Sequence, residues 1–519
     1  MTKAEAFLRK LVRTWPSLPY MALGAALAAM YIANSGTAWL SDTEMNGGNL
    51  STMFIAASLG SGGIMVLATF FVPRMRRWLE RPNSALLGGL LAGLGSLIVV
   101  LIGPYYLYFI VPEGFNWYVF VAGSFLFGAG LGIVSLRCGQ LYGALPPRQV
   151  IVYAAFSQIV VALCFFVLVG SPDWAPVPGG PSLIGILFFV GLPVAAGFLA
   201  SLSRYSERST ADIEVIQSRS ALPKSFWKLL AVVFVFSCIV ASVYASVVAV
   251  SSIATTLSGS RLVMLVRMGL AVELVCVAVG TEGERLNFGK VYSVVMVVSV
   301  ALVACLPLVS VLHTVLSQIV SLASVVFELF LWCTLAFVVY QRRLSAVMVF
   351  GYGYGAYLLG TGIGWLFGVQ ALGSLFSAVG EAFAYMIMAI IVLACAFLIF
   401  SEREFDRLFA PVEEGAPTLD ELLMKDLAAD EAAHDEAEPQ RKGRFGAAIE
   451  ALAEAHQLSP RETDVLRCLA MGYNSSTTAS KLHISWNTVR THTRNVYGKL
   501  GVHSQQELIA LVDAETARE

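Results

Sequence analysis

Two arginines near the C-terminus are the residues whose type and spacing point most directly to a chemistry. Arg490 and Arg494 are four residues apart in a predicted helix, so they lie on one helix face, with Thr491 beside them. The guanidinium fork of arginine matches the paired acceptors on a guanine edge, which is the commonest sequence-specific contact to DNA. On spacing alone, a solvated helix face explains the pair equally well.

Helix-start and helix-stop signals around the two arginines predict four short helices. Ser459–Glu462 has the pattern of a capping box with proline at the first helical position, and Ser504–Glu507 is a second capping box. The helices are expected from Pro460 to Gly472, over about 475–482, over about 486–500 with Ser485 as the cap, and after Ser504. The inward face of the third helix is predicted to be Val489, His492, Val496 and Leu500. This arrangement is typical of a helix-turn-helix whose recognition helix enters the major groove.

The same segment carries a longer pattern of spaced residues. It comprises Leu458-Ser-Pro-Arg-Glu-Thr-Asp-Val-Leu466, Ala470-Met-Gly472, Ala479-Ser-Lys-Leu482-His-Ile-Ser485, Thr488-Val-Arg-Thr-His492, Asn495 and Lys499-Leu-Gly-Val502. In order and spacing it resembles the LuxR (GerE-like) helix-turn-helix family. The chain departs from the family pattern at Thr477, where a glutamate is usual, and at Gln505, where an arginine often stands. Both positions concern contacts that stabilise the domain.

The resemblance implies roles for individual residues. Arg490, Thr491 and Arg494 would contact base edges, and Lys481, Ser485, Asn487 and Lys499 would lie near backbone phosphates. It also implies a bacterial transcription regulator that binds double-stranded DNA as a dimer on two half-sites, with the fourth helix at the dimer contact. RNA polymerase is a further candidate partner.

The part of the chain that precedes this segment has a composition suited to lipid rather than to water. The chain is 57% hydrophobic and 13% charged, and about half of its charged residues fall in the stretch after Ser401. About twelve apolar runs reach the length of about twenty residues that a membrane-spanning helix needs. They lie near 19–40, 50–72, 84–110, 116–136, 150–170, 182–202, 226–250, 261–280, 290–311, 315–340, 344–368 and 380–400. The sequence therefore predicts an all-α protein in which a bundle of six plus six spans precedes the four-helix domain.

Charge and composition set the predicted domain boundaries. We expect a basic cytoplasmic N-terminus at 1–18, a polytopic membrane domain at 19–400, an acidic linker at 401–454 and the helix-turn-helix domain at 455–519. The acidic linker is interpreted as solvated chain, and the alternative is that it folds back on the basic DNA-reading face and inhibits it. Lysine and arginine fall in alternate loops, which predicts cytoplasmic N- and C-termini in a bacterial inner membrane.

Three ionisable residues within the spans mark a candidate ligand cavity. Arg267 and Glu273 are six residues apart in the eighth run, so they do not share a helix face, and Glu328 lies in the tenth. Charged side chains in hydrocarbon are costly and face partners or cavities. We expect Glu328 to pair with Arg267, either as a structural ion pair or as part of a polar ligand site. Further residues that could line such a cavity are Asn34, Trp39, Gln158, Gln318 and Trp365.

The six-plus-six arrangement resembles the major facilitator superfamily of transporters in architecture. The loop Arg74–Arg77 stands where that superfamily has a signature rich in glycine and charge, but it lacks the glycine and aspartate of that signature. A run of glycines from Gly351 to Gly368 lies in an apolar span with no following lysine, so we predict close helix packing, with a flexible hinge as an added option, and no phosphate loop.

These patterns favour a one-component membrane regulator that senses a small molecule through its bundle. The alternatives are a transporter or transceptor with a regulatory tail, and a bundle that acts only as an anchor. An enzyme is not expected, because the sequence has no nucleophile–base arrangement and no nucleotide loop. No cofactor or metal is expected either, since its scattered cysteines lack zinc-finger or redox spacing.

Overall fold

The computed structural model of the chain is helical in each part that it describes, as predicted. It describes residues 3–35, 47–81, 83–102, 115–169, 183–205, 221–248, 253–280, 313–395, 402–409, 439–473, 475–482, 484 and 486–516. The chain divides into two compact units, Met1–Pro411 and Val412–Glu519. The predicted ninth span at 290–311, the acidic core of the linker and the cap residue Ser485 lie outside the described residues.

The helices of the first unit follow the apolar runs. They are α1 (Lys3–Thr14), α2 (Met21–Ser35), α3 (Gly47–Ala68), α4 (Val72–Leu79), α5 (Ser84–Ile102), α6 (Phe115–Gly143), α7 (Pro147–Val169), α8 (Leu183–Ser201), α9 (Lys224–Val248), α10 (Ile253–Gly280), α11 (His313–Arg342), α12 (Ala346–Gln370), α13 (Leu372–Val379), α14 (Glu381–Ala394) and α15 (Glu402–Phe409).

Eight helices among the described residues are long and apolar enough to cross a membrane, or up to ten if each of two bent helix pairs forms one span. Large apolar side chains are exposed along one stripe of α5, at Leu87, Leu90, Leu94, Leu97 and Leu101. A stripe of this kind at helical spacing is unfavourable in water and favourable in lipid. The first unit is therefore a multi-pass membrane domain. The last predicted run, 380–400, contains α14, and Gly380, whose φ is +84°, separates α14 from the preceding α13.

The glycines of α12 allow it to pack closely on α3 and α9, as predicted. A Cβ atom at Gly364 would lie 2.1 Å from the carbonyl oxygen of Cys238 on α9, and one at Gly351 would lie 2.8 Å from the carbonyl oxygen of Met65 on α3. These distances are too short for any side chain, so only glycine permits the backbone of α12 to approach those of α9 and α3 this closely. The helix is continuous from Ala346 to Gln370 and shows no break at the glycine run.

Helix α15 lies in the segment that the sequence analysis assigned to the linker. It packs against α9 and α11 of the membrane unit. Its Leu408 is fully buried, and the guanidinium of Arg342 donates to the carbonyl oxygens of Arg407 and Leu408, both at 2.7 Å. These carbonyls are at the C-terminal end of α15, where the helix leaves acceptors unpaired, so Arg342 caps it.

The described residues of the second unit form five helices, one more than the four predicted. They are α16 (Pro439–Ala455), α17 (Pro460–Ala470), α18 (Ser475–Leu482), α19 (Trp486–Leu500) and α20 (Gln505–Thr516). The last four agree with the helices expected from the sequence. The sequence analysis placed residues 439–454 in the linker, whereas the structure forms α16 there. Its Ile449 and Leu452 join Val465, Leu466, Val496 and Leu508 in the core of this unit.

Candidate functional site

The membrane unit has a cavity between its helices. Side chains from α2, α3, α6, α9, α10, α11 and α12 line it, and its volume is about 180 Å³. Arg267 and Glu328, two of the three residues predicted for a ligand site, both contribute to the lining. Glu273 does not line the cavity and is exposed on α10. The six-residue separation from Arg267 turns it toward a different side of the helix.

Arg267 does not form the expected ion pair with Glu328. Its Nη1 donates to Oε1 of Gln158 on α7 at 3.2 Å, and its guanidinium carbon lies 5.0 Å from the centroid of the Tyr31 ring. Glu328 instead accepts a hydrogen bond of 2.5 Å from the hydroxyl of Tyr354 on α12. Each charged group therefore has its own neutral partner. The prediction of a direct pair was wrong because helices α7 and α12 bring other polar groups closer.

Aromatic rings form much of the cavity wall. The rings of Phe54 and Trp365 stack with centroids 3.9 Å apart, and Tyr244 meets Trp365 edge to face at 5.5 Å. Trp365 and Gln158, two of the residues suggested as lining, lie at or behind this wall. The structure does not describe the side chains of Asn34, Trp39 and Gln318.

In the second unit, α19 presents the predicted base-contacting residues to solvent. Arg490, Thr491 and Arg494 are exposed on one face, while Val489, Val496 and Leu500 are buried on the opposite face. His492, predicted to point inward, is half-buried. The amphipathic spacing thus determines which side of α19 packs against the domain core and which side is exposed to solvent. The structure buries three of the four residues predicted to face inward and exposes the three predicted to face outward.

The exposed arginines border a shallow groove in this unit. Its lining also includes Tyr497, Gly498 and His503, and no carboxylate is among the lining residues. The nearby Lys481 is exposed, and its Nζ lies 3.7 Å above the centroid of the Tyr473 ring. A groove that arginines line, with no carboxylate among its described lining residues, has the charge that phosphate backbones attract.

Lys499, predicted to lie near phosphate, is bound within its own unit. Its Nζ donates to Oε2 of Glu462 at 2.8 Å and to the carbonyl oxygen of Gln457 at 2.9 Å. Glu462 also accepts from the backbone N–H of Ser459, which completes the predicted capping box of α17. The ammonium of Lys499 and these N–H donors lower the pKa of Glu462 to about 2. Ser485 and the side chain of Asn487, the other two phosphate-contact predictions, lie outside the described part of the chain.

Comparison with known proteins identifies this second unit. Residues 456–512 match the family model of the bacterial regulatory proteins, luxR family. These residues form a luxR-family helix-turn-helix domain. Over 52 residues the chain is 50% identical to the fimbriae Z protein of Escherichia coli strain K12, and over 58 residues it is 36% identical to the HTH-type transcriptional activator RamA of Corynebacterium glutamicum. These matches cover 10% and 11% of this chain, and 25% and 21% of the relatives, so the chain spans about a quarter of the curated relatives' length.

Solved structures resemble this chain over about three quarters of its length. The fucose:proton symporter of Escherichia coli is similar over 76% of this chain and 98% of its own, with 14% identity and a TM-score of 0.47. A bacterial homologue of the iron transporter ferroportin is similar over 75% of this chain and 99% of its own, with 13% identity and a TM-score of 0.47.

Two stabilising features of the luxR-family domain could not be read from its sequence pattern. Gln505, noted as a departure from the family, donates from Nε2 to the carbonyl oxygens of Leu469 and Tyr473 at 2.9 and 3.1 Å. It thereby joins the end of α17 to the start of α20. In the second capping box, Glu507 accepts from the backbone N–H of His503, one residue before the expected donor Ser504.

Proposed function

We propose that this protein is a membrane-bound one-component transcription regulator, which binds DNA through its luxR-family domain and senses a small molecule through its membrane bundle. The observation that carries the proposal is the exposed face of α19. Arg490, Thr491 and Arg494 are exposed to solvent on a helix whose other side is buried. The same polypeptide also contains a multi-pass membrane domain.

The proposed DNA contact follows from the chemistry of this face. Arg490 and Arg494 would each donate two hydrogen bonds to a guanine edge, and Thr491 would contact a neighbouring base. Lys481 would supply phosphate attraction together with Ser485, Asn487 and Lys499. One small domain makes few contacts, so we propose that two copies bind paired half-sites.

The sensing step requires that a ligand bind one state of the bundle more tightly than another, because only differential affinity shifts a conformational equilibrium. The cavity that Arg267 and Glu328 line is the proposed binding place. Such a ligand would change the availability or pairing of the luxR-family domain without a kinase or a separate receiver protein.

The direct test is genome-wide occupancy and reporter transcription with the full chain in its membrane. Replacing both Arg490 and Arg494 with alanine should remove specific occupancy, since each arginine–guanine pair contributes about 1–3 kcal/mol of discrimination. Arg461→Ala is the matched control, because Arg461 is an exposed arginine of the same domain on α17. It should leave occupancy unchanged. Wild-type occupancy and reporter output that persist in the double variant would refute the proposal.

The orientation is part of the proposal. The alternation of cationic loops favours cytoplasmic N- and C-termini in a bacterial inner membrane. Fusions of a periplasm-active phosphatase and of a cytoplasm-active fluorescent protein to Glu519 should give signal only with the fluorescent protein. Phosphatase activity at that end would place the luxR-family domain away from DNA and rule out the regulator.

The second candidate is a transporter or transceptor, and the buried charged cavity favours it. Transport requires net flux, whereas a sensor needs only binding. Uptake into proteoliposomes that contain the purified chain distinguishes them: ligand accumulation that an Arg267→Gln variant abolishes supports transport, and saturable binding without accumulation supports the sensor.

A further inference from the structure

Most polar side chains of the membrane cavity already have partners within the protein. Hydroxyl groups on the wall donate to backbone carbonyls or pair with each other: Ser61 with Gly128 at 2.6 Å, Ser237 with Phe234 at 3.1 Å, Thr361 with Tyr357 at 2.8 Å, and the Ser324 and Tyr357 hydroxyls with each other at 3.2 Å. Buried polar groups normally find such partners. The exceptions in the same wall are therefore informative.

Three donor atoms in the wall have no hydrogen-bond partner among the described residues. They are Nε of Arg267, Oγ of Ser58 and Nε1 of Trp365, on three different helices. Their residues are only 6%, 1% and 1% exposed. The arginine and tryptophan N–H groups can only donate. A buried donor without an acceptor is destabilising, so this wall favours any state in which acceptor atoms enter it.

Arg267 adds a positive charge to these donors. It is the only lysine or arginine among the described residues that line the cavity. Gln158 holds one of its terminal nitrogens at 3.2 Å, and the Tyr31 ring lies beside the guanidinium. These two contacts orient the guanidinium group of Arg267 in the absence of a ligand. A fixed guanidinium with neighbouring N–H and O–H donors is complementary to a carboxylate, whose oxygens accept several hydrogen bonds.

The remaining wall constrains the rest of the ligand. Phe54, Tyr244 and Trp365 form an aromatic cluster beside the unpaired donors, and aromatic rings pack best against flat unsaturated groups. The volume of about 180 Å³ admits only a small molecule. Glu328 also lines the cavity, and its carboxylate disfavours a second negative charge on the ligand.

From these contacts we infer that the cavity binds a small organic monocarboxylate with a flat unsaturated body. The carboxylate is recognised by Arg267, Ser58 and Trp365, and the ring is held by the aromatic wall. The inference names the ligand class for the sensing step and in that respect rests on the proposed function. Binding itself can be measured without any reference to DNA.

The test compares three probes of one shape and different charge: 3-phenylpropionate, 3-phenylpropanamide and 3-phenylpropylamine. Their binding to the purified full chain in lipid nanodiscs is measured by calorimetry and by the ligand-dependent shift in unfolding temperature. The carboxylate should bind at least about tenfold more tightly than the amide, a difference of about 1.4 kcal/mol. The amine should bind more weakly still because Arg267 repels it.

Two variants, with one control, test whether residues of the cavity wall cause the preference for the carboxylate. Arg267→Gln should remove the preference for the carboxylate, whereas Arg261→Gln, which changes an exposed arginine of the same helix, should retain it. Ser58→Ala keeps nearly the same volume and deletes an unpaired hydroxyl. It should therefore leave the unfolding temperature of the free protein unchanged or higher, and weaken binding of 3-phenylpropionate.

Several results would overturn the inference. These are equal or tighter binding of the amide or the amine, no carboxylate binding at millimolar concentration, and an undiminished carboxylate preference in Arg267→Gln. A further outcome combines one of these results with loss of DNA occupancy in the double variant of Arg490 and Arg494. That combination would reject the proposed ligand class and retain the proposal of a DNA-binding regulator. Carboxylate binding with no arginine-dependent DNA occupancy would support the site and reject the regulator.

Discussion

The Nζ atom of Lys499, at the C-terminal end of α19, lies 2.8 Å from Oε2 of Glu462 in the first turn of α17. The same carboxylate oxygen accepts from the backbone N–H of Ser459 at 2.9 Å. One side chain therefore caps α17 and ties it to the helix that bears Arg490 and Arg494. Because both bonds depend on the ionised carboxylate, the orientation of α19 in the luxR-family domain is linked to the charge of Glu462.

Replacing Glu462 with glutamine should destabilise the luxR-family domain by about 1 kcal/mol, because the amide oxygen can still cap α17 but loses the charge-assisted bond to Lys499. Hydrogen exchange of the α17 amides in the full chain measures the change. Glu450→Gln is the matched control, because Glu450 pairs with Arg467 at an exposed surface where ion pairs contribute little. If the two variants exchange alike, Glu462 does not have the linking role.

Acid should weaken the same domain through Glu462. Its pKa is lowered from an ordinary value of 4.5 to about 2 in the folded protein. A carboxylate with a lowered pKa contributes stability that is fully present above its unfolded pKa and is lost as pH falls toward the folded value. Protection of α17 should therefore decline between about pH 4.5 and pH 2 in the wild type and decline less in Glu462→Gln. Equal declines in both proteins would assign the acid sensitivity to other groups.

Lys481 and Lys499 should respond differently to alanine substitution, although the sequence predicts a phosphate contact for both. Lys481 is exposed over the Tyr473 ring, so Lys481→Ala should mainly reduce the salt dependence of DNA binding, by about one unit of slope for one lost phosphate contact. Lys499 is bonded to Glu462 and Gln457, so Lys499→Ala should also reduce stability. Titrations with an operator fragment at several salt concentrations measure the slopes. Unchanged hydrogen exchange in Lys499→Ala would contradict the structural role.

Local signals allowed the luxR-family domain to be predicted closely. The capping box at Ser459–Glu462 and the stop at Gly472 depend on neighbouring residues alone, and the structure has α17 between them. Helix α16 was missed because it follows an acidic stretch and itself contains Pro439, Gly443 and Gly446, which weaken a helical pattern. Its stability comes from packing on α17 and α20, and a linear pattern does not report such packing.

Partners within the membrane unit were harder to predict. The sequence identified Arg267 and Glu328 as buried charges, and both line the cavity. It could not tell that Gln158 and Tyr354 would be their partners, because that depends on which helices are neighbours. The unpaired donor of Ser58 has no signal in the sequence, since most serines in membrane helices bond to their own backbone.

The packing of α12 on α9 predicts a sharp difference between two glycines. Gly364→Ala should destabilise the bundle by about 1–3 kcal/mol or more, because the new Cβ would lie 2.1 Å from the carbonyl oxygen of Cys238 and the helices must move apart. Gly63→Ala meets no atom within 4 Å and should be neutral or stabilising, since alanine favours helix. Thermal unfolding of the full chain in detergent measures both. Similar unfolding temperatures would show that close approach at Gly364 is dispensable.

Helix α15 offers a prediction about the end of the membrane unit that precedes the luxR-family domain in sequence. Glu404 on α15 accepts from Lys228 at 2.9 Å and from the Ser225 hydroxyl at 2.8 Å, both on α9, and these donors hold its pKa below the ordinary value. Glu404→Lys places two like charges together and should increase hydrogen exchange of residues 402–409. Adding Lys228→Glu should restore part of the protection, because the reversed pair attracts again.

Arg407→Gln provides the control for this exchange. Arg407 also contacts Glu404, at 3.0 Å, but its side chain is 69% exposed and the contact lies within α15 itself, so its loss should change the docking little. If Glu404→Lys leaves residues 402–409 as protected as in the wild type, then Leu408 and the Arg342 cap suffice to hold α15 on the bundle. If Glu404→Lys increases hydrogen exchange and the reversed pair restores protection, the contact between α9 and α15 is electrostatic. Reporter transcription in the two variants then shows whether this contact links the conformation of the bundle to the activity of the luxR-family domain.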